Sequence, residues 1–594
     1  MNEYEILSAT LPDFLKLARP DIDYIRIPID ENVSIYQVTE EWLQGYSLRT
    51  LGYRAIPKLY VTQAVPDSLE EQNAVGMENA AFRLLLQEVG IRETLNPPLS
   101  LTGEGVLIGI VDTGIRAENP VFFNSYGQSK VVAYWNQADT TGPAPGQELM
   151  GTVTYGTDIG INSREERPAD EQGTMEQRPP EPGSRLEQES IPMTREDPSG
   201  HGTALASIIS MAVPLAELAV VGLREASEEL KAYYGVDAQK ECYAETDIML
   251  GIQFLVQEAM RRDQPLVIVL GLGTSYGDHA GNGYLCEYLN RLGSRSNIAI
   301  ISVAGNESAS AHHSSVITLG QELGDIISPS EELFRASREV EILVGDNSGN
   351  FMMECWFEAT SQLSFSIRTP GGETVDNIDV RTGVEITPRF IFDSTNLTIY
   401  PVLIEQGSGK NLIVFRFETP TPGVWRLRIT ASSMLDGVPI QNIQLWLPMD
   451  GLLRGKCVFL KPTPTMTVTD PGNTHRVITI GAYDANTGSI GAFSGRGLTA
   501  IGALKPDLAA PGVNVPTVLG SYTGTGTAAA ITASAVALFM EWALVRNNIP
   551  YVNSETIKRY LALGAEREPG INYPNIVWGY GKLNLEQIFE RMIG

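Results

Sequence analysis

The stretch GVLIGIVDTGI, Gly105–Ile115, decides how this chain folds. Its centre is a continuous apolar run with no polar alternation, and it ends in a turn. Such a run suits a strand of a parallel sheet, which helices bury on both faces. Downstream the periodicity alternates. HGTALASIISMAV, from His201, reads as a helix, LAVVGL (Leu218–Leu223) as a strand, and TDIMLGIQFLVQEAMRR (Thr246–Arg262) as a helix. PLVIVLGLG (Pro265–Gly273) and NIAIISVAGNES (Asn297–Ser308) then read as two more strands. Alternating strands and helices predict an α/β fold with a doubly wound parallel sheet.

At 594 residues the chain exceeds what one core serves, about 250–300 residues, so several units are expected. Residues 1–65 pattern as a small α+β unit, with a strand at Tyr24–Ile29, a helix around VTEEWLQGY (Val38–Tyr46) and a closing IPKLYVTQA (Ile56–Ala64). Residues 66–325 form the first part of the α/β domain, opening on a helical pattern in SLEEQNAVGMENAAFRLLLQEVGI. Within it, residues 140–199 shift to Pro, Glu, Gln and Arg, a composition that predicts a flexible, solvated acidic loop. Residues 326–468 carry short strand-like runs such as NLIVFRF and GVWRLRIT with no helix, which predicts an inserted all-β sandwich. The α/β pattern resumes with RVITIGAYDA in residues 469–594.

A formal net charge of −28 without Lys/Arg clusters excludes nucleic acid as an expected partner. The four cysteines are widely spaced and signal neither a zinc knuckle nor a disulfide framework. Thr527–Val545 is apolar enough to suggest a membrane span, but Glu541 and its Ala, Thr and Ser content favour a buried core helix, so no span is expected. MNEYEILSAT lacks the basic and apolar segments of a secretory signal, so synthesis in the cytoplasm and retention in the cell are expected.

Three positions combine into chemistry. Asp112 ends the decisive strand in VDTG, His201 opens a helix in GHGT, and Gly526 sits in GTGTAAA before the last long helix. A Ser/His/Asp triad needs an acid to orient an imidazole, the imidazole to take a proton, and a hydroxyl to attack. The first two are present.

These motifs, in the order Asp, His, nucleophile, resemble the subtilisin-like (S8) serine proteases over about 100–325 and 470–594. SVAGN would then make Asn306 the oxyanion-hole amide, and LGLGTSYG would make Gly271, Leu272 and Gly273 the substrate-binding strand. FSGRG and KPDLAAPG match the loop preceding the nucleophile. More narrowly, GVLIGIVDTGI, TSYGDHAG, the pair His312 and His313, AAAITASAVALFMEW and the inserted sandwich, which there is jelly-roll-like, resemble the Csp spore-germination proteases of clostridia and their relatives. The resemblance implies a spore-associated protein acting with other germination proteins or on a protein substrate. It also implies an N-terminal prodomain lodged in the substrate cleft.

The departure is Gly526. The family motif is G-T-S-x-A, so Gly524, Thr525, Thr527 and Ala528 match while the serine is missing. Thr525 and Thr527 flank the position, but one residue's displacement at a helix start swings a side chain by about 100°. A pseudoprotease that regulates germination is therefore expected, with its prodomain still attached. The alternative is an active serine endopeptidase that processes a cortex-lytic enzyme precursor. His312 and His313 read as a loop pair and not as metal ligands, because adjacent side chains diverge and no acidic partner stands beside them. No metal or other cofactor is expected.

Overall fold

The computed structural model describes residues 3–67, 80–124, 126–146, 149–156, 197–316, 335–381, 383–433 and 443–593. At its centre Leu107–Asp112 lies between Leu266–Leu270 and Glu217–Gly222, parallel to both. Ile298–Val303 and Ile478–Asp484 extend the parallel sheet on one side, and Val131–Asn136 extends it on the other. Every residue of Leu107–Asp112 is buried. The reason is a division by parity, since alternate side chains of a strand face opposite ways. Ile108 and Ile110 share a core with Leu205 and Ile209 of helix His201–Ala212 and with the helix Thr525–Met540. Leu107 and Val111 meet Ile252 and Leu255 of helix Glu245–Arg262 on the other face.

Helix Thr525–Met540 is buried along its whole length. A helix apolar all round has no water-facing side to offer, and here it packs against His201–Ala212 and five strands of the sheet, with a further π-helical turn at Glu541–Val545. Glu541 is itself buried and accepts from the Thr102 and Gly103 amides and from Arg546.

The middle of the chain forms two five-stranded antiparallel sheets. Their inner faces share one core, in which Phe365 of one sheet meets Phe415 of the other edge-on with centroids 5.2 Å apart. The strand Phe351–Phe357 is buried throughout, because Met352 and Trp356 on its outer side pack against Tyr53, Val61 and Tyr234. The sandwich is thus docked on the α/β body and on the N-terminal unit.

That N-terminal unit is a three-stranded antiparallel sheet, Glu3–Ser8, Ser34–Thr39 and Tyr24–Pro28. Ile27, Ile29 and Ile35 sit in the same core as Phe254 and Leu255 of helix Glu245–Arg262. The helix expected around Val38–Tyr46 is absent: the strand runs to Thr39, whose carbonyl takes the amides of Trp42 and Leu43 in a turn, and Gly45 follows at φ 121°. A helix of four residues, Leu48–Leu51, comes later.

The acidic stretch also departs from a wholly solvated loop. Thr152–Tyr155, with its β-branched alternation, adds an antiparallel edge strand to Val131–Asn136, and Asp197 is fully buried. Residues 157–196 lie outside the described residues, as do 68–79 of the helical pattern that precedes Ala80–Glu88.

Candidate active site

Asp112 stands at the C-terminal end of its strand, where a doubly wound sheet presents its ligands. Its Oδ1 meets Nδ1 of His201 at 2.6 Å and accepts the Thr113 amide at 2.8 Å. Both side chains are buried. Burial works against the charged imidazolium, but the Asp112 carboxylate outweighs it and holds the His201 pKa above its ordinary value. On the far side of the ring, His201 Nε2 is buried and meets no hydrogen-bond partner among the described residues. Gly271 lies against the pair: a Cβ there would come within 2.6 Å of Asp112 Oδ2 and 3.0 Å of His201 Cε1.

Asp197 holds this pair in register. Its Oδ1 accepts from Thr113 Oγ1 at 2.7 Å and Gly200 N at 3.0 Å, and its Oδ2 accepts from the amide and hydroxyl of Thr203 at 2.8 and 2.5 Å. One carboxylate thereby ties the turn after Asp112 to the first turn of the His201 helix. The local pattern EDPSGHGT does not set Asp197 apart from its acidic neighbours, and only the fold reveals it.

At the nucleophile position, Gly526 is the second residue of helix Thr525–Met540. Neither flanking hydroxyl replaces a serine. Thr525 Oγ1 donates to Asn306 Oδ1 at 3.0 Å, and Thr527 Oγ1 donates to the Gly524 carbonyl at 2.9 Å. Asn306 Oδ1 also accepts the Thr525 amide at 3.0 Å, so its NH₂ group is the part left to face the cleft.

The cleft is filled by the chain itself. Leu59–Thr62 is the middle strand of a three-stranded antiparallel sheet, paired with Tyr243–Ala244 on one side and Leu272–Gly273 on the other. Gln63 N donates to the Gly271 carbonyl at 2.9 Å, and the Gln63 carbonyl accepts Gly526 N–H at 2.8 Å. A Cβ on Gly524 would fall 2.3 Å from that carbonyl oxygen and 3.0 Å from Asn306 Nδ2, so carbonyl and amide are neighbours. Beyond Ala64 the chain continues unbroken: Val65 and Pro66 pair with Thr523 and Tyr522, and Asp67 N reaches the Ser521 carbonyl at 2.9 Å. Gly271, Leu272 and Gly273 thus line an extended peptide; Asn306 and Gly526 meet it at Gln63, and Gly271, whose carbonyl accepts the Gln63 N–H, lies against the Asp112–His201 pair.

His312 and His313 differ from the loop reading. His313 begins the strand His313–Val316, with its ring stacked on Trp446, and His312 Nδ1 lies 2.6 Å from Glu307 Oε2, an acidic partner brought close by the turn after Asn306. No group of three or more His, Cys, Asp or Glu side chains converges as a metal site among the described residues.

Comparison with known proteins agrees with this geometry. The model of the subtilase family matches residues 103–329 and 460–581, more than half of the chain, and the gap between them holds most of the two-sheet insertion. Serine protease AprX of Bacillus subtilis is 30% identical over 147 residues, which cover 20% of this chain and 31% of that protein. An uncharacterized protein of Aquifex aeolicus, aq_aa18, is 28% identical over 141 residues, 19% of this chain and 61% of its own length. The chain thus spans less than two thirds of either curated relative. Among solved structures, the Clostridium perfringens CspB protease aligns over 86% of this chain and 97% of its own with a TM-score of 0.69 at 24% identity, a likeness of fold. The residues gathered at the Gln63–Ala64 bond and the family match agree: this chain belongs to the subtilase family.

Proposed function

We propose that the chain is a pseudoprotease, a subtilase whose cleft binds an extended peptide without cutting it, and that it regulates spore germination through protein partners. The observation that carries the reading is the Gly526–Gln63 hydrogen bond, in which the position of the missing nucleophile holds an intact peptide by its carbonyl. Asp112 and His201 are the retained dyad, and Gly526 N–H with the Asn306 amide are the retained oxyanion donors. Without a hydroxyl no acyl-enzyme forms. In subtilisin, loss of the nucleophile alone costs about 10⁶-fold in turnover. The N-terminal unit then stays covalently attached as the permanent occupant of the cleft. The spore setting rests on the motif resemblance in Gly105–Ile115, Thr274–Gly281 and Ala528–Trp542.

Expression of the unaltered chain beside Gly526→Ser tests the first part. The unaltered chain should run as one full-length band and stay unlabelled by a serine-directed fluorophosphonate. Turnover or labelling would instead support the active-endopeptidase reading. For the second part, deletion of the gene should change the response of spores to germinants, and unchanged germination would reject that role.

A further inference from the structure

The Gln63 side chain is 2% exposed, although it is polar and stands where the chain crosses the cleft. Each of its polar atoms is engaged. Oε1 accepts the backbone N–H of Asn306 at 2.9 Å, and Nε2 donates to the carbonyls of Thr62 at 2.9 Å and Val61 at 3.3 Å. The walls around it are small. A Cβ on Gly273 would come within 3.5 Å of Gln63 Cγ and 2.5 Å of Thr469 Oγ1, and one on Gly305 within 2.6 Å of the same hydroxyl. Thr469 is buried, and its hydroxyl has no hydrogen-bond partner among the described residues.

On the other side of the bond, Ala64 is buried against Ala204 and Tyr522. A Cβ on Gly524 would meet the Ala64 Cα at 2.6 Å. Gly526 lies on the same side, where a Cβ would come within 3.3 Å of the Ala64 Cβ, so the methyl group is closely surrounded.

We infer that the cleft reads glutamine immediately before the bond held at Gly526 and a small residue immediately after it, with Asn306 N–H setting the preference for an uncharged polar side chain. This rests on the reading of the cleft as a peptide-binding pseudoprotease site, and it adds which peptide is bound.

The chemistry separates glutamine from its neighbours. Glutamate would bury a charge and turn an oxygen toward the Thr62 and Val61 carbonyls, where Nε2 now donates. Methionine or leucine would fill the space but leave Asn306 N–H without a partner. Asparagine is one methylene short of the Asn306 amide. Sites built to hydrogen-bond one side chain reject analogues lacking that group strongly.

The test uses the full chain with Gly526→Ser. The introduced hydroxyl gives its proton to His201 and forms an ester with the Gln63 carbonyl carbon. The Ala64 amine leaves with that proton, and water then frees the Gln63 carboxylate. Intact mass and N-terminal sequencing should find a fragment beginning at Ala64. Adding Gln63→Glu or Gln63→Met should slow the cut at least about 100-fold, whereas Thr62→Val should stay within about threefold. A Gly526→Ser chain that stays whole or opens at another bond overturns the inference, as does Gln63→Met cutting as fast as glutamine.

A second measurement needs no cleavage. In the Gly526 chain, Gln63→Glu should raise hydrogen–deuterium exchange at the Asn306 and Gly526 amides about tenfold or more, and unchanged exchange would overturn the inference. If the unaltered chain cuts itself, the pseudoprotease reading falls; the preference for glutamine stands if that cut follows Gln63 and falls if it does not.

Discussion

The amide of Gly526 donates to the carbonyl oxygen of Gln63 at 2.8 Å, and this bond shows that glycine does more at that position than omit a hydroxyl. A Cβ on Gly526 would lie 3.1 Å from the Gln63 oxygen and 3.3 Å from the Ala64 Cβ, closer than side chains ordinarily pack. The missing methylene lets the intact peptide settle deeper than a serine would allow. The same glycine that leaves the position without a hydroxyl therefore also lets the uncut chain be held more closely.

Gly526→Ala separates those effects. Alanine favours the helix by up to about 1 kcal/mol, while crowding a packed site costs about 1–3 kcal/mol. The strain falls on residues 63 and 64, which can back away. Overall thermal stability should change little, and thermolysin should cut between residues 59 and 67 several-fold faster than in the parent. Equal or slower cutting would contradict the deeper seating.

Asp197 is the positioning residue for the dyad. In the Gly526→Ser background, Asp197→Asn should slow self-cleavage about tenfold or more, because the amide can no longer accept from four donors at once. Each buried donor left unpaired costs about 1–3 kcal/mol. Asp197→Ala should lower the melting temperature further. If Asp197→Asn cleaves at the parental rate, the bridge between Thr113 and the His201 helix is merely structural.

Much of this site is legible in the sequence, for reasons that differ by residue. The strand Leu107–Asp112 announces itself because burial on both faces forbids polar residues, and the turn that follows fixes Asp112 at its end. His201, Asn306 and Gly526 are recognisable because each sits in a short motif whose neighbours are constrained by close backbone packing. A Cβ on Gly202, for example, would lie 2.2 Å from the Gly114 carbonyl. Asp197 and Gln63 are not legible in this way. Their roles come from partners 84 and 243 residues distant in the chain, to which no local periodicity points. The edge strand Thr152–Tyr155 is hidden for another reason: four residues of alternation are swamped by the acidic composition around them.

Asp470 supplies a pH dependence. It is buried near Asp278, and burial together with that carboxylate raises its pKa to about 8. A carboxyl whose folded pKa exceeds its unfolded value stabilises the fold below the unfolded pKa, about 4, and that contribution is lost as pH rises through about 8. The loss should be on the order of a few kcal/mol. Asp470→Asn keeps an oxygen to accept from Asn473 Nδ2 and removes the titration. Melting temperatures compared from pH 5 to pH 9 should show the variant gaining on the parent as pH rises. A constant gap would place the proton elsewhere.

The sandwich and the N-terminal unit are joined by Tyr53, whose hydroxyl donates to Glu354 Oε1 at 2.6 Å in a fully buried setting. The other Glu354 oxygen accepts from Trp356 Nε1 at 2.9 Å and Gly277 N at 3.2 Å. Burial already raises the Glu354 pKa, so withdrawing a donor leaves a poorly solvated carboxylate. Tyr53→Phe should cost about 1.5–3 kcal/mol, the range for hydrogen bonds to charged groups. The loss should fall on the attachment of the N-terminal unit, because residue 53 belongs to that unit and Glu354 to the sandwich. In a self-cleaved Gly526→Ser chain the released fragment should co-elute with the body on gel filtration. Adding Tyr53→Phe should let it dissociate at a lower urea concentration than its parent. Release at the same concentration would mean that the strand Leu59–Thr62 alone holds the fragment in place.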